Sequence, residues 1–147
     1  MRVRGCALIE EAGRILVLAY NYPNGRIYAI PGGGVKDGES LADGVIREYQ
    51  EELGIEVAID ALIYVGDMMA NEQIKQTVHI VFRGHRVSGE PKLNPAETSA
   101  AECLWLDLNE LDKVKLYPAV NDAMIQDLQN GNPQARYLGN CMTREWA

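Results

Sequence analysis

The chain has 147 residues, 47% of them hydrophobic and 24% charged, with a formal net charge of −7. That length and composition suit one globular domain, residues 1–147, with a core of its own. The acidic balance argues against a nucleic-acid backbone as partner, which needs a basic footprint, and no apolar run reaches the length of a transmembrane helix.

The segment Met1-Arg2-Val3-Arg4-Gly5 lacks the apolar stretch of a signal peptide, so the expected location is the cytoplasm. Arg4 to Glu10 predicts a strand, Glu11-Ala12-Gly13 a hairpin turn, and Arg14 to Tyr20 its partner strand. Asn21 to Gly25 carries turn chemistry, and Arg26 to Ile30 reads as a short strand that Pro31 ends. Gly32, Gly33 and Gly34 read as a turn of bare backbone, and Asp37-Gly38 as a second turn. Ser40 is an N-cap for a helix over Leu41 to Leu53, with Asp43 making a weak capping box and Gly54 the stop. Leu41, Ala42, Val45, Ile46, Tyr49 and Leu53 share its apolar face. Glu56 to Ala70 predicts one long or broken strand, Asn71 to Lys75 a turn, and Gln76 to Val87 the returning strand. Ser88 to Ser99 is a long polar loop, and Glu102 to Asp107 a strand in which Trp105 is expected in the core. Tyr117 to Gln129 predicts a second amphipathic helix, with Pro118 in its first turn, Val120, Met124 and Leu128 on one face, and Gly131 after its end. Strands before, around and after the first helix place helices on both faces of a mixed sheet. Cys6, Cys103 and Cys141 have no C-x-x-C spacing and read as reduced, buried thiols.

The stretch from Gly33 to Ile55 carries the chemistry. Glu48, Glu51 and Glu52 are related by i, i+3 and i, i+4, so they cluster within a roughly 100° arc of the helix. Three carboxylates so held repel one another unless a cation sits between them, and hard divalent cations that act on phosphates prefer such oxygen ligands. Arg47 can neutralise part of this charge one turn before Glu51, or reach back to Glu39 across the loop.

As a pattern the segment is G-x5-E-x7-R-E-U-x-E-E-x-G-U, with U a bulky apolar residue, and it resembles the signature box of the Nudix hydrolases at every invariant position. A weaker resemblance runs through the strand before the box and the Trp105 strand with Asn109-Glu110-Leu111 after it. Tyr49 departs from the family's aliphatic residue and is expected to alter packing, not chemistry. The resemblance implies an α/β fold of the Nudix type, an α/β/α sandwich around a mixed β-sheet. It implies that Glu48, Glu51 and Glu52 bind Mg²⁺ or Mn²⁺, with the carbonyl of Gly32 as a further ligand. It implies that Arg47 and Glu39 brace the loop against the helix. The implied reaction is attack of water on phosphorus in a nucleoside diphosphate linked to a further group X. Glu48, Glu52 and Glu97 stand as candidates for general base, and members that place a late-loop glutamate over the site favour Glu97 or Glu102 for that position.

Gly33 and Gly34 are candidates to contact substrate through their backbone, and Tyr20, Tyr22 and Tyr28 to stack on a base or ribose. His79 and His85 can bind phosphate or act as acids, although a strand histidine is more often structural. Arg144-Glu145-Trp146 reads as a tail that is disordered, docks on its own domain or crosses a homodimer interface. No proline stands in Met68-Met69-Ala70-Asn71, where relatives acting on ADP-ribose often carry one, and no tyrosine of the kind seen in dinucleoside polyphosphate hydrolases follows. Nucleotide sugars lead as substrates, with nucleoside triphosphates, oxidised ones included, behind them. The competing reading is a nucleotide sensor without catalysis on the same fold; isomerase chemistry on a prenyl diphosphate ranks below it for want of a fitting cysteine motif.

Overall fold

In the computed structural model, which describes residues 1–72, 75–131 and 134–141, the first hairpin forms where the alternation predicts it. Arg2–Glu11 (β1) and Arg14–Tyr22 (β2) are joined through Ala12 at φ 52° and Gly13 at φ 75°. The two strands pair only beside the turn, at Glu10↔Ile15 and Glu11↔Arg14. Beyond that point they part. β2 continues between Gly25–Ala29 (β3) and Glu102–Asp107 (β7), while the opening half of β1 lies between two other strands.

One of these is the Gly32–Gly34 segment. It is not the turn that three glycines suggest but a strand, β4, antiparallel to β1 with Arg4↔Gly34, Gly5↔Gly33 and Cys6↔Gly32 as partners. Closeness of approach is the reason. A Cβ on Gly32 would stand 2.1 Å from the carbonyl oxygen of Gly5, so only glycine lets the backbones come this near. On its other side β1 runs parallel to Thr77–Ser88 (β6), which pairs antiparallel with Glu56–Met68 (β5) through several register shifts. Two short strands unforeseen in the sequence complete the sheet, Lys115–Tyr117 (β8) parallel to β3 and Arg136–Asn140 (β9) parallel to β5. The order is β8-β3-β2-β1-β6-β5-β9, with β4 on β1 and β7 on β2.

Helices cover both faces, as the sandwich expectation requires. Leu41–Leu53 (α1) seals Val45, Tyr49 and Leu53 against Ala7, Ile9, Leu16 and Leu18. Asn121–Asn130 (α2) packs Ala123 and Met124 over Cys6, Leu8, Val17 and Val81 on the other face. The second helix thus starts later than the expected Tyr117. Leu116 is buried in register with Tyr28, and the Tyr117 carbonyl accepts the Ile30 N–H at 2.9 Å, so strand pairing overrides the helical pattern there and Pro118 falls in the connection. A 3-10 turn, Leu108–Lys113, also unforeseen, precedes β8. Trp105, expected in the core, is only partly buried and packs against the α1-side core. Cys6 and Cys141 are buried free thiols, whereas Cys103 is only half-buried. Among the described residues no helix is long and apolar enough to cross a membrane. Arg144-Glu145-Trp146 lies outside the described residues.

Candidate active site

Helix α1 is fixed at both ends by its own sequence. Ser40 Oγ accepts the Asp43 N–H at 3.0 Å, and Gly54, in the left-handed region at φ 67°, donates its N–H to the Gln50 carbonyl. Tyr49 is fully buried and donates its hydroxyl to the Ala7 carbonyl at 2.7 Å. The aromatic departure from the family pattern is therefore a packing change with a polar tether to β1. Burying this face turns Arg47, Glu48, Glu51 and Glu52 toward the Gly-rich strand and the loop before the helix.

Arg47 makes both of the connections that its spacing allows. Its Nε and Nη2 donate to Glu39 at 3.0 and 2.7 Å, its Nη2 also to the Gly34 carbonyl at 3.2 Å, and its Nη1 to Glu48 and Glu51 at 3.0 and 3.1 Å. Glu39 further accepts the Lys36 N–H at 2.8 Å. The Arg47 hydrogen bonds, then that backbone bond, lower the Glu39 pKa to about 2. Gly44, a poor helix former, has its reason here: a Cβ at that position would come within 3.0 Å of Glu39 Oε1.

The carboxylates sit in unequal surroundings. Glu48 lies against Gly33, where a Cβ would stand 2.5 Å from its carboxyl carbon. Glu51 is the most exposed of the three and leans on Arg47. Glu52 is 7% exposed, and its Oε1 is buried with no hydrogen-bond partner. Burial first, then the charge of neighbouring Glu48, push its pKa up to about 8. Among the described residues no three His, Cys, Asp or Glu side chains converge closely enough to hold a metal as they stand. Arg47 Nη1 draws Glu48 and Glu51 toward itself instead. The donor set nonetheless suits a hard divalent cation. Neighbouring carboxylates, one with an orphaned buried oxygen and a strongly raised pKa, are what remains when the charge between them is uncompensated.

The other candidates divide. Gly32, Gly33 and Gly34 stand beside the helix as β4. The loop after β6 is tied to the end of α1, with the Lys92 N–H on the Leu53 carbonyl and the Asn94 N–H on the Glu52 carbonyl at 3.0 and 2.9 Å. Glu97 occupies the next turn, its N–H on the Asn94 carbonyl, and its side chain is exposed. Glu102 does not join the glutamates; on β7 it forms an ion pair with Arg26 at 2.7 Å. Tyr20 reaches Thr98 of the loop at 3.3 Å and lies within electrostatic reach of Glu52. Tyr22 is exposed at the end of β2. Tyr28 packs against the core under α2, on the face away from the glutamates, with the Arg26 guanidinium over its ring. His85 is exposed beside Asp60 at 3.0 Å. His79 is fully buried, and burial, with the charge of Arg4 second, lowers its pKa to about 3, so it is neutral near pH 7.

Arg4 escaped the sequence reading. It is 6% exposed, on β1 beside Gly34 and His79. The signal was present: Arg4 alternates with Cys6 and Leu8, which places a charged residue on a buried face.

The NUDIX domain family model matches residues 1–128. An ADP-ribose pyrophosphatase of Methanocaldococcus jannaschii is 32% identical over 73% of this chain, and the chain spans 62% of that relative's length. A MutT NUDIX hydrolase structure from Burkholderia pseudomallei is also 32% identical, with a TM-score of 0.64 over 74% of this chain and 84% of that one. A NUDIX hydrolase structure from Nitrosomonas europaea, 22% identical, shares the fold at a TM-score of 0.73 over 92% of this chain and 91% of its own.

Proposed function

Since the chain belongs to the NUDIX domain family, we propose that it is a metal-dependent phosphohydrolase that cleaves a phosphoanhydride bond in a nucleoside diphosphate linked to a group X. The observation that carries this reading is the carboxylate group of Glu48, Glu51 and Glu52 packed on Gly33 and braced by Arg47 and Glu39. A sensor that had abandoned catalysis would have no need of the complete set.

Glu48, Glu51 and Glu52, with the Gly32 carbonyl as a further ligand, would hold Mg²⁺ or Mn²⁺. Such an ion supplies charge neutralisation on phosphate oxygens and on the leaving group. Arg47 orients Glu48 and Glu51 and ties the loop to the helix through Glu39, so that the oxygens are positioned before substrate arrives. Gly33 and Gly34 expose backbone over which a phosphate chain can lie. The attacking water must lose a proton to a carboxylate. Glu48, Glu52 and Glu97 are the candidate acceptors. Tyr22, exposed at the end of β2, is offered for stacking on the nucleoside; Tyr28, packed against the core under α2, is less well placed.

The substrate panel should include nucleotide sugars, nucleoside triphosphates, oxidised ones among them, and ADP-ribose. The last is supported by the name of the Methanocaldococcus jannaschii relative, although residues 68–71 hold no proline. Phosphate and pyrophosphate release is measured with Mg²⁺, with Mn²⁺ and after chelation. Turnover that disappears with chelator and returns with either ion is expected. Undiminished turnover after exhaustive chelation would sink the metal-dependent reading. Tight calorimetric binding without cleavage of any compound would put the sensor in its place.

A further inference from the structure

We propose that Arg4 is a substrate-binding residue that takes a phosphate group from the side of β1 opposite the glutamate helix. The inference deepens the hydrolase reading and rests on its phosphate-bearing substrate. An arginine keeps its charge in any protein environment. This one is 6% exposed, and among the described residues it forms no ion pair with a carboxylate. Its Nη2 donates to the Ile30 carbonyl at 2.8 Å, its guanidinium lies 4.8 Å from the centre of the Tyr117 ring, and the Cys6 thiol is beside it. Its Nη1 is buried and has no partner. A buried cation with a free donor is costly to fold around and becomes favourable when an anion reaches it.

The position selects the anion. Arg4 sits on the half of β1 that has parted from β2, directly across from Gly34, and nothing lies within 4 Å of where a Gly34 side chain would begin. The Gly34 carbonyl is held from the other direction by Arg47, so this backbone strip runs between the two guanidinium groups. Glu52 is within electrostatic reach of Arg4, yet the two make no ion pair, and Glu52 Oε1 and Arg4 Nη1 are both left without partners. A phosphate chain laid along β4 answers both: the Glu52 side through the cation it carries, the Arg4 side through an oxygen that accepts from Nη1. Neutral His79, its ring edge-on to Tyr117 at 5.0 Å, adds no competing charge.

The experiment uses the full chain with inorganic pyrophosphate in Mg²⁺ as the phosphate-only probe and with adenosine and guanosine as nucleoside-only probes, by calorimetry. Melting of the ligand-free, chelated protein is followed in parallel. Arg4→Met should weaken pyrophosphate binding roughly tenfold or more, the loss of one charge-assisted bond, while any nucleoside affinity stays unchanged. The ligand-free Tm should hold or rise, because an unpaired buried charge has been removed. Arg4→Gln, which keeps a donor for the Ile30 carbonyl, should lose pyrophosphate affinity in the same way. In turnover the loss should lie mainly in KM. The inference is overturned if either folded variant binds pyrophosphate like the wild type, if the wild type itself does not bind it, or if nucleoside affinity falls instead. It is equally overturned if both variants fail to fold or melt several degrees lower, which would make Arg4 structural. Hydrolysis by the wild type is scored separately: turnover with wild-type pyrophosphate affinity in Arg4→Met defeats only this inference. Arg4-dependent binding without turnover defeats only the hydrolase reading.

Discussion

Two arginines flank the same glycine strand, and they are bonded in opposite ways. Arg47 spends its donors on Glu39, Glu48, Glu51 and the Gly34 carbonyl. Arg4, across β4, has one hydrogen bond to protein oxygen and a buried nitrogen without a partner. A guanidinium whose donors are satisfied by its own chain fixes geometry. One that is left unsatisfied is disposed to receive a ligand. The glutamates repeat the contrast: Glu39 is held at low pKa by its bonds, and Glu52, with one buried oxygen left unpartnered, is pushed high by burial and then by the charge of Glu48. The box is thus a rigid frame of satisfied groups around a few that folding leaves wanting.

The largest expected effect comes from the unsatisfied side. Glu52→Gln keeps volume and helix propensity while removing the charge, so circular dichroism should be unchanged and kcat should fall by roughly 10²-fold or more. Near wild-type kcat in this variant would remove Glu52 from the reaction. Breaking the frame should act differently. Arg47→Met leaves Glu39 and the loop untied, and because these groups are partly exposed the loss is about 1–2 kcal/mol, roughly 3–6 °C in Tm. Activity should fall with it, since Glu48 and Glu51 lose their orienting partner. A variant with wild-type Tm and wild-type kcat would show that Arg47 neither braces the loop nor orients the glutamates.

The pH dependence of stability sharpens the same contrast. Glu52 has a folded pKa of about 8, above its unfolded value near 4.5, so its contribution is complete below the unfolded value and is lost as pH rises through about 8. Two other shifts run the opposite way. Glu39, lowered to about 2, loses its contribution only as pH falls toward that value. His79, lowered to about 3 from 6.5, costs stability only below its unfolded value. Between about pH 6.5 and 8.5, then, Glu52 sets the slope: Tm in chelator should decline across this window, and Glu52→Gln should flatten the decline. A wild-type Tm that rises or stays level from pH 6.5 to 8.5 would contradict the burial argument for Glu52.

Much of this was legible beforehand, for identifiable reasons. Helix α1 was readable because Ser40, the apolar spacing from Val45 to Leu53 and Gly54 all speak for the same element. The glutamate cluster followed from helical spacing alone. What escaped depended on partners distant in sequence. Gly32–Gly34 is a strand because β1 supplies the pairing and the room, and nothing within three glycines says so. Tyr117 belongs to β8 because Ile27, Tyr28 and Ala29 pair with that stretch, far away in sequence. Arg4 was passed over because a charged residue near a strand's beginning looks like an exposed one; its alternation with Cys6 and Leu8 points inward, and the Tyr117 ring and the Ile30 carbonyl complete its burial.

The smallest effect is expected at Glu97. Its turn is anchored by the Asn94 N–H on the Glu52 carbonyl and by the Asn94 side chain, which accepts the Ala96 N–H at 3.1 Å. Thr98 is held in turn by the Tyr20 hydroxyl. A loop fastened on both sides of Glu97 has little freedom to swing over the glutamates, and the exposed carboxylate itself takes part in no ion pair among the described residues. A solvated surface charge costs little to remove. Glu97→Gln should therefore change kcat by less than about threefold and leave metal affinity and Tm unaltered. If kcat instead falls by roughly 10²-fold at constant metal affinity, the group acts only in the transition state, which is the signature of a base. The proton acceptor would then be Glu97 of the loop, with the loop closing during turnover, and buried Glu52 would be left as a ligand alone.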